Sequence, residues 1–445
     1  MNSTEDSPTL EDATFKIIRR RILPFAILLY MFAYLDRVNL SFASLQMNKD
    51  LGYSMSVYGF GAGVFFIGYF LFEVPSNLIL ARVGARLWIA RIMFTWGIVA
   101  SLMIFVKTPT SFYLLRFLLG AAESGFFPGM IFYLESWFPG THRARVVALF
   151  MTATAFAGAI GAPLSGAILE LNGAWHLAGW KWLFLIEGVP SIFLAFVVVQ
   201  KLPNGPAQAM WLMPSEQNWL INRLEKERAR NSDHQISSTF RGIFSIRLWL
   251  LCLVGFTMIL GMYGFGFWVP QIIKEVFRLD NFRVALLTAI PYVAAGFGMV
   301  LIGTHSDRVK DRQQHIAVSA LLAASGFTLS ACSHHSLLVL YGLCLAACGV
   351  WAMLGPFWAW STPTFTAQTS AAGIAIISSF VNLGGFAGPY MVGVIKSSGY
   401  GFRGGLLALA GTLLIGGAAT SLVQHLDKSN NSNKHQKDAT EERRC

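Results

Sequence analysis

Among the charged residues that lie inside largely apolar runs, four lead: Asp36 and Arg37 in the run 22–46, Arg116 and Glu123 in the run 110–137. A charge at the middle of a bilayer costs about 2.5–3.5 kcal/mol even on insertion scales, so intramembrane charges pair, face water or carry function. A guanidinium is always charged and offers a planar fork that fits a carboxylate. Arg37 and Arg116 are therefore candidates for holding an organic anion. A carboxyl group in so apolar a setting can exchange a proton under physiological conditions, which makes Asp36 and Glu123 candidate proton-coupling sites. Arg116 and Glu123 are seven residues apart, two helical turns, and project from one helix face. Against this stands the reading that Asp36–Arg37 or Arg116–Glu123 are permanent pairs that only hold helices together.

Other polar residues share these runs. From Arg21 to Asp36 is 15 residues, about 22 Å of helix, which puts Asp36 near or just beyond the midplane. Tyr69 lies at a similar depth in the run 57–80, so the three helices can converge on one cavity. Tyr34 and Tyr69 could donate hydroxyl hydrogen bonds to a ligand, or be ordinary core tyrosines. Glu73, one turn below Tyr69, is either a second protonatable site or a gate residue. Glu187 reads as helix packing. In the second half, Ser378 and Asn382 lie one turn apart, and Trp358 either caps a cavity or packs.

The elements that must position these residues follow from composition. The chain has 445 residues, 54% hydrophobic and 13% charged, against roughly 25% charged in soluble domains. That excludes a disordered protein, a coiled coil and an ordinary soluble enzyme. A membrane helix needs about 20 apolar residues. Twelve runs qualify: 22–46, 57–80, 85–106, 110–137, 144–170, 179–200, 244–271, 284–304, 314–333, 335–360, 371–396 and 402–424. Backbone groups in lipid must be satisfied within the segment, so each run is read as a helix. The expected domains are an N-terminal segment 1–21, a six-helix bundle 22–200, a middle loop 201–243, a second six-helix bundle 244–424 and a tail 425–445.

Most Lys and Arg outside the runs fall on one side. They include Arg19, Arg20 and Arg21, then Arg82, Arg86 and Arg91, Arg143 and Arg145, the middle loop, Arg308, Lys310 and Arg312, and the tail. Basic loops stay cytoplasmic, so both termini are expected inside. This also accounts for the net charge of +11 without a nucleic-acid partner. The stretch 220–228 of the middle loop is amphipathic and is expected to lie along the inner membrane surface. The first residues are polar and acidic, so no cleavable signal peptide is expected. The five cysteines form no disulfide framework. The nine histidines show no zinc-type spacing. No phosphate loop is present: Gly61-Ala-Gly63 and Gly161 lack a following Gly-Lys-Ser/Thr. Neither a catalytic nor a metal constellation is visible, no cofactor is implied, and the chain reads as a monomer.

Two loops repeat one another. Asn77-Leu-Ile-Leu-Ala-Arg-Val-Gly-Ala-Arg86 follows the second run, and Gly303-Thr-His-Ser-Asp-Arg-Val-Lys-Asp-Arg312 follows the eighth. Such internal symmetry marks transporters built from repeats. The chain here resembles the major facilitator superfamily, whose signature loop has a Gly, an Asp-Arg pair and further basic residues. Gly303, Asp307, Arg308 and Arg312 keep that pattern. In the first copy Arg82 and Arg86 match, but Asn77 and Ala81 replace the Gly and the Asp. Leu115-Arg116-Phe-Leu-Leu-Gly120-Ala-Ala-Glu123-Ser-Gly125-Phe-Phe-Pro128-Gly129 is similar to the fourth-helix motif of the anion:cation symporter branch. Tyr34-Leu-Asp36-Arg37-Val-Asn39, the stretch Phe65 to Asn77, and Gly384-Gly385 with Gly388-Pro389 fit the same branch.

The resemblance implies an all-α membrane protein with twelve transmembrane helices in two pseudo-symmetric six-helix halves. It implies proton-coupled uptake of a small organic anion such as tartrate, a sugar acid or an aromatic carboxylate, by alternating access, with no enzymatic activity. Asp36 and Glu123 would couple protons. Tyr34, Arg37, Tyr69, Arg116, Trp358, Ser378 and Asn382 would line the substrate site, and Arg82, Arg86, Gly303, Asp307, Arg308 and Arg312 the gating loops. A passive uniporter or an anion exchanger of the same fold is the alternative. The expected location is the inner or plasma membrane.

Overall fold

The computed structural model describes residues 8–232, 246–361 and 370–442, and among them the regular elements are all helices. Ten cross-membrane helices are separate: span 1 (Ala13–Asp50), span 2 (Met55–Val83), span 3 (Ala85–Phe105), span 4 (Pro109–Glu135), span 5 (Leu149–Leu169), span 6 (Gly179–Lys201), span 7 (Ile246–Gly266), span 8 (Asn281–Val309), span 9 (Arg312–Cys332) and span 10 (Ser336–Ser361). A further apolar stretch, Ile376–His425, is 50 residues long, about 75 Å as one helix against a hydrocarbon core of about 30 Å. It breaks at Lys396–Tyr400, where Gly399 takes φ 91°, into span 11 (Ser370–Ile395) and span 12 (Gly401–Glu442). The twelve passes match the twelve apolar runs.

Local chemistry sets several ends. Ser54 accepts from Val57 N at span 2. Thr108 and Ser111 cap each other reciprocally at span 4, with Pro109 in the first turn. Asp280 accepts from Arg283 N at span 8, and Asp311 from Gln314 N at span 9. Each cap satisfies backbone donors that a helix start leaves open.

The packing repeats with a displacement of six. Span 1 packs on spans 5 and 6, and span 7 on spans 11 and 12; span 2 packs on span 4 and span 8 on span 10; span 3 packs on span 6 and span 9 on span 12. The halves meet along two seams that obey the same rule, span 5 with span 8 and span 2 with span 11. Small residues line both. A Cβ placed on Gly59 of span 2 would lie 3.2 Å from Gly393 Cα of span 11, and one on Gly166 of span 5 would lie 2.5 Å from Ala285 Cβ of span 8.

On the face away from the basic loops the halves are bonded together. Tyr58 donates to Phe267 O at 2.8 Å, Gln271 to Ser44 Oγ at 2.7 Å, and Ser56 N to Ser397 Oγ at 3.0 Å. On the basic face, the middle-loop helix Pro214–Ser232 packs on protein. Trp219 meets the Phe15 ring at 5.6 Å, Trp211 stacks on Trp137, and Glu227 accepts from Gly140 N and pairs with Arg143. In the stretch 220–228, expected on the membrane surface, Leu220 and Leu224 are instead buried within the protein, where apolar side chains leave water as they would at an interface.

Candidate functional site

Span 4 is two helices, Pro109–Glu123 and Phe126–Glu135, joined at Gly125 with φ 82°. That left-handed backbone favours glycine, and a Cβ there would lie 2.2 Å from Ser76 Oγ. Ser76 Oγ also donates to Ser124 O at 2.8 Å. Span 2 thereby holds the break that immediately follows Glu123. Span 10 is broken in the equivalent place, between Ser336–Ala352 and Leu354–Ser361.

Glu123 forms a buried ion pair with Arg37 of span 1. The other Arg37 terminal nitrogen donates to the Tyr263 hydroxyl of span 7 at 2.8 Å, so the guanidinium touches both halves. Its carbon lies 5.3 Å from the centre of the Phe65 ring and 5.4 Å from that of Tyr69. Arg116 is wholly buried on the other side of this group. It donates to Gly61 O at 3.2 Å and Ala62 O at 3.4 Å, lies 4.9 Å from the Phe65 ring centre, and leaves Nη1 without a partner. No carboxylate of the described residues forms an ion pair with it. Carbonyl dipoles and ring faces stabilise a cation by about 0.5–2 kcal/mol each, less than burying an isolated charge costs. A bound anion would close that gap.

Two sequence pairings come out differently. Arg37 bonds Glu123 and not its neighbour Asp36; Arg116 does not bond Glu123. Consecutive helix residues point about 100° apart, and Asp36 turns away from Arg37. It accepts from Trp96 of span 3 and from Ser191 Oγ of span 6 at 3.3 Å, and its Oδ1 has no partner. Glu187 stands in the same first-half interior, accepting from Ser165 Oγ at 3.0 Å. Ser378 and Asn382 of span 11 both donate to the buried Glu73 of span 2, at 3.2 Å and 3.0 Å. Tyr34 is 1% exposed on span 1, and Trp358 meets the Phe357 ring on the short half of span 10.

In the loops, Asp307 pairs with Arg312 at 3.4 Å, while Arg308 and Arg82 are exposed. Arg86 offers its backbone N–H to Asn204 Oδ1 at 2.9 Å. A Cβ on Gly303 would meet nothing within 4 Å. Sequence reasoning missed Tyr263, Phe65 and Trp96. A tyrosine within Gly261-Met-Tyr-Gly-Phe265 was the one available hint; an apolar ring beside a guanidinium leaves none.

Twelve spans, a sixfold-displaced packing pattern and a charged centre between the halves define a multi-pass membrane transporter. The Major Facilitator Superfamily profile matches residues 26–389, and the chain belongs to that family; it is not an enzyme. It is 47% identical over 422 residues to a protein of Agrobacterium vitis named "Putative tartrate transporter", covering 94% of both chains. It is 36% identical to the inner membrane transport protein RhmT of Escherichia coli, over 92% of this chain and 95% of that one. Among solved structures, a bacterial homolog of the human lysosomal transporter Spinster, inward-facing and occupied, superposes with a TM-score of 0.75 at 17% identity, over 92% of this chain and 97% of that one. A D-xylose-proton symporter gives 0.71 at 15%, over 90% and 96%. These two share the fold.

Proposed function

We propose that this transporter takes up a small organic carboxylate together with a proton, by alternating access. The observation that carries the reading is Arg116: a buried guanidinium with an unpartnered edge, beside an Arg37 whose charge is held by Glu123. Arg116 supplies the anion site. Protonation of Glu123 removes the acceptor that holds Arg37 and frees its fork for the same anion, so proton and anion bind together. Asp36, with only Trp96 and Ser191 to bond, is a second proton site that stands apart from the anion. Tyr34, Tyr69, Ser378, Asn382 and Trp358 are proposed to line the path. The name and identity of the Agrobacterium vitis relative favour tartrate as the first cargo to test.

Basic loops mark the cytoplasmic face, which puts both termini inside a bacterial inner membrane and the bonded Tyr58–Phe267 and Gln271–Ser44 contacts outside. The loops around Arg82, Arg86, Gly303, Asp307, Arg308 and Arg312 then gate the inner face. One chain holds the complete centre, so the monomer is the working unit. The test is proteoliposome uptake of labelled tartrate with a pH electrode in the medium. Substrate-dependent alkalinisation is expected; uptake without it would replace symport by uniport or exchange.

A further inference from the structure

A cavity of about 440 Å³ opens on the face opposite the basic loops, at the joint between the halves. One wall is the end of span 1, with Asn48 and Lys49; another is the short helix Val269–Phe277 that leads out of span 7, with Gln271 and Lys274; Tyr53 closes the side. Two of its polar side chains, Asn48 and Tyr53, lack partners. Asn48 is 8% exposed, and neither its side-chain nitrogen nor its oxygen has one. The Tyr53 hydroxyl is likewise unpartnered; burial pushes it up to about 12, so it remains a donor at neutral pH.

Two of the three charged side chains that line the cavity are cations, Lys49 and Lys274, and the third is Glu275. Lys274 donates to Leu45 O and Asn281 Oδ1, and an ammonium has a third donor to offer. Burial first, and the nearby Lys49 charge second, pull Lys274 below its ordinary value against the opposing Asp280 charge. The acids around them have partners of their own, Glu275 in Lys396, Asp280 in Arg283 and Asp50 in the Trp180 indole, although the Asp280 charge also reaches Lys274.

We propose that this cavity is a second anion site, for a small water-soluble dicarboxylate, which when filled holds the two halves together at this face. An anion between Lys49 and Lys274 would join span 1 to the helix after span 7 and turn a repulsion into two charge-assisted bonds. Since Lys49 and Lys274 line one cavity only where the halves meet, a ligand that needs both stabilises the closed arrangement by linkage. The carboxylate class rests on the proposed function; the site itself rests on the cavity and its unpartnered groups.

The test uses the purified full chain in nanodiscs, with labelled L-tartrate at low ionic strength and sulfate as a second probe. In wild type two binding components are expected. Arg116→Gln should leave one of them. Lys49→Gln with Lys274→Gln should weaken that remaining component by roughly tenfold or more, the worth of one charge-assisted bond. Lys49→Arg with Lys274→Arg, which keeps the charge, should retain it, and Asn48→Leu should weaken it without touching a charge. Spin labels at Ser56 and Ser397 should shift toward the short distance on adding tartrate. If no component with either probe depends on the lysine pair, or the spin labels move apart, the second site is overturned. If only the Arg116-dependent component is missing, the proposed central site fails and the second site stands.

Discussion

Arg37 donates to the Tyr263 hydroxyl at 2.8 Å across the boundary between the two halves. The same guanidinium is ion-paired with Glu123, so one side chain answers to a carboxylate of its own half and a phenol of the other. Any movement that parts the halves must break the Tyr263 bond. Any proton that lands on Glu123 weakens the other hold. Four expectations follow from this arrangement and its supports.

Glu123→Gln keeps the size of the side chain and removes the proton site. Accumulation of labelled tartrate against a gradient should fall to equilibration, while exchange of internal for external tartrate continues. Normal accumulation by this variant would show that Glu123 does not couple the proton.

Arg116→Lys replaces a planar fork by a point charge. Losing one bond to a charged group costs about 1.5–3 kcal/mol, so binding should weaken by roughly tenfold to a hundredfold. Calorimetric titration of the purified variant checks this, and unaltered affinity would remove Arg116 from the site. Tyr263→Phe also removes a bond to a charged group, though it leaves Arg37 its carboxylate, and should lower stability by about 1.5–3 kcal/mol.

Among the described residues, Glu73 accepts from both Ser378 and Asn382. In Glu73→Leu those two donors lose their partner in a poorly solvated seam, at about 1–3 kcal/mol each where no substitute bond forms. The unfolding midpoint should drop, and cysteine-scanning of span 11 should show greater thiol accessibility near 378–382. Glu73→Gln, which still offers a carbonyl oxygen, should recover much of both.

Gly125→Ala places a methyl 2.2 Å from Ser76 Oγ at φ 82°. A strained left-handed residue costs on the order of 1–3 kcal/mol. The variant should be less thermostable, and transport should suffer more than stability, because the displaced turn carries Glu123. Ser76→Ala in the same chain removes the hydroxyl contact but leaves the position-76 Cβ at 2.7 Å and the φ strain, and should restore only part of the loss.

How much of this was written in the sequence differs from residue to residue. The spans were legible because lipid demands long apolar runs, and the two halves because Arg82 and Arg86 recur as Arg308 and Arg312. Arg37, Arg116 and Glu123 announced themselves as charges that an apolar run does not tolerate without cause. Their partners were not legible. Which of Asp36 and Arg37 faces the centre depends on how span 1 is rotated about its axis, and that is fixed by Trp96 and Ser191 on other helices. Ser378 and Asn382 meet Glu73 across more than 300 residues of chain, a distance no local pattern reports. The docking of Pro214–Ser232 depended likewise on Phe15, Gly140 and Arg143, far from it in sequence.

Where the halves touch, Gly59 meets Gly393 and Gly166 meets Ala285. Beside these close approaches large rings sit in glycine notches, Phe386 against Gly63, Phe66 against Gly385 and Tyr292 against Gly158. Each seam thus alternates close backbone contact with a ring held in a notch, so movement along it must carry those rings with it. A single methyl at position 59 or 166 would act as a brake, slowing turnover at saturating cargo while leaving the affinity for that cargo where it was.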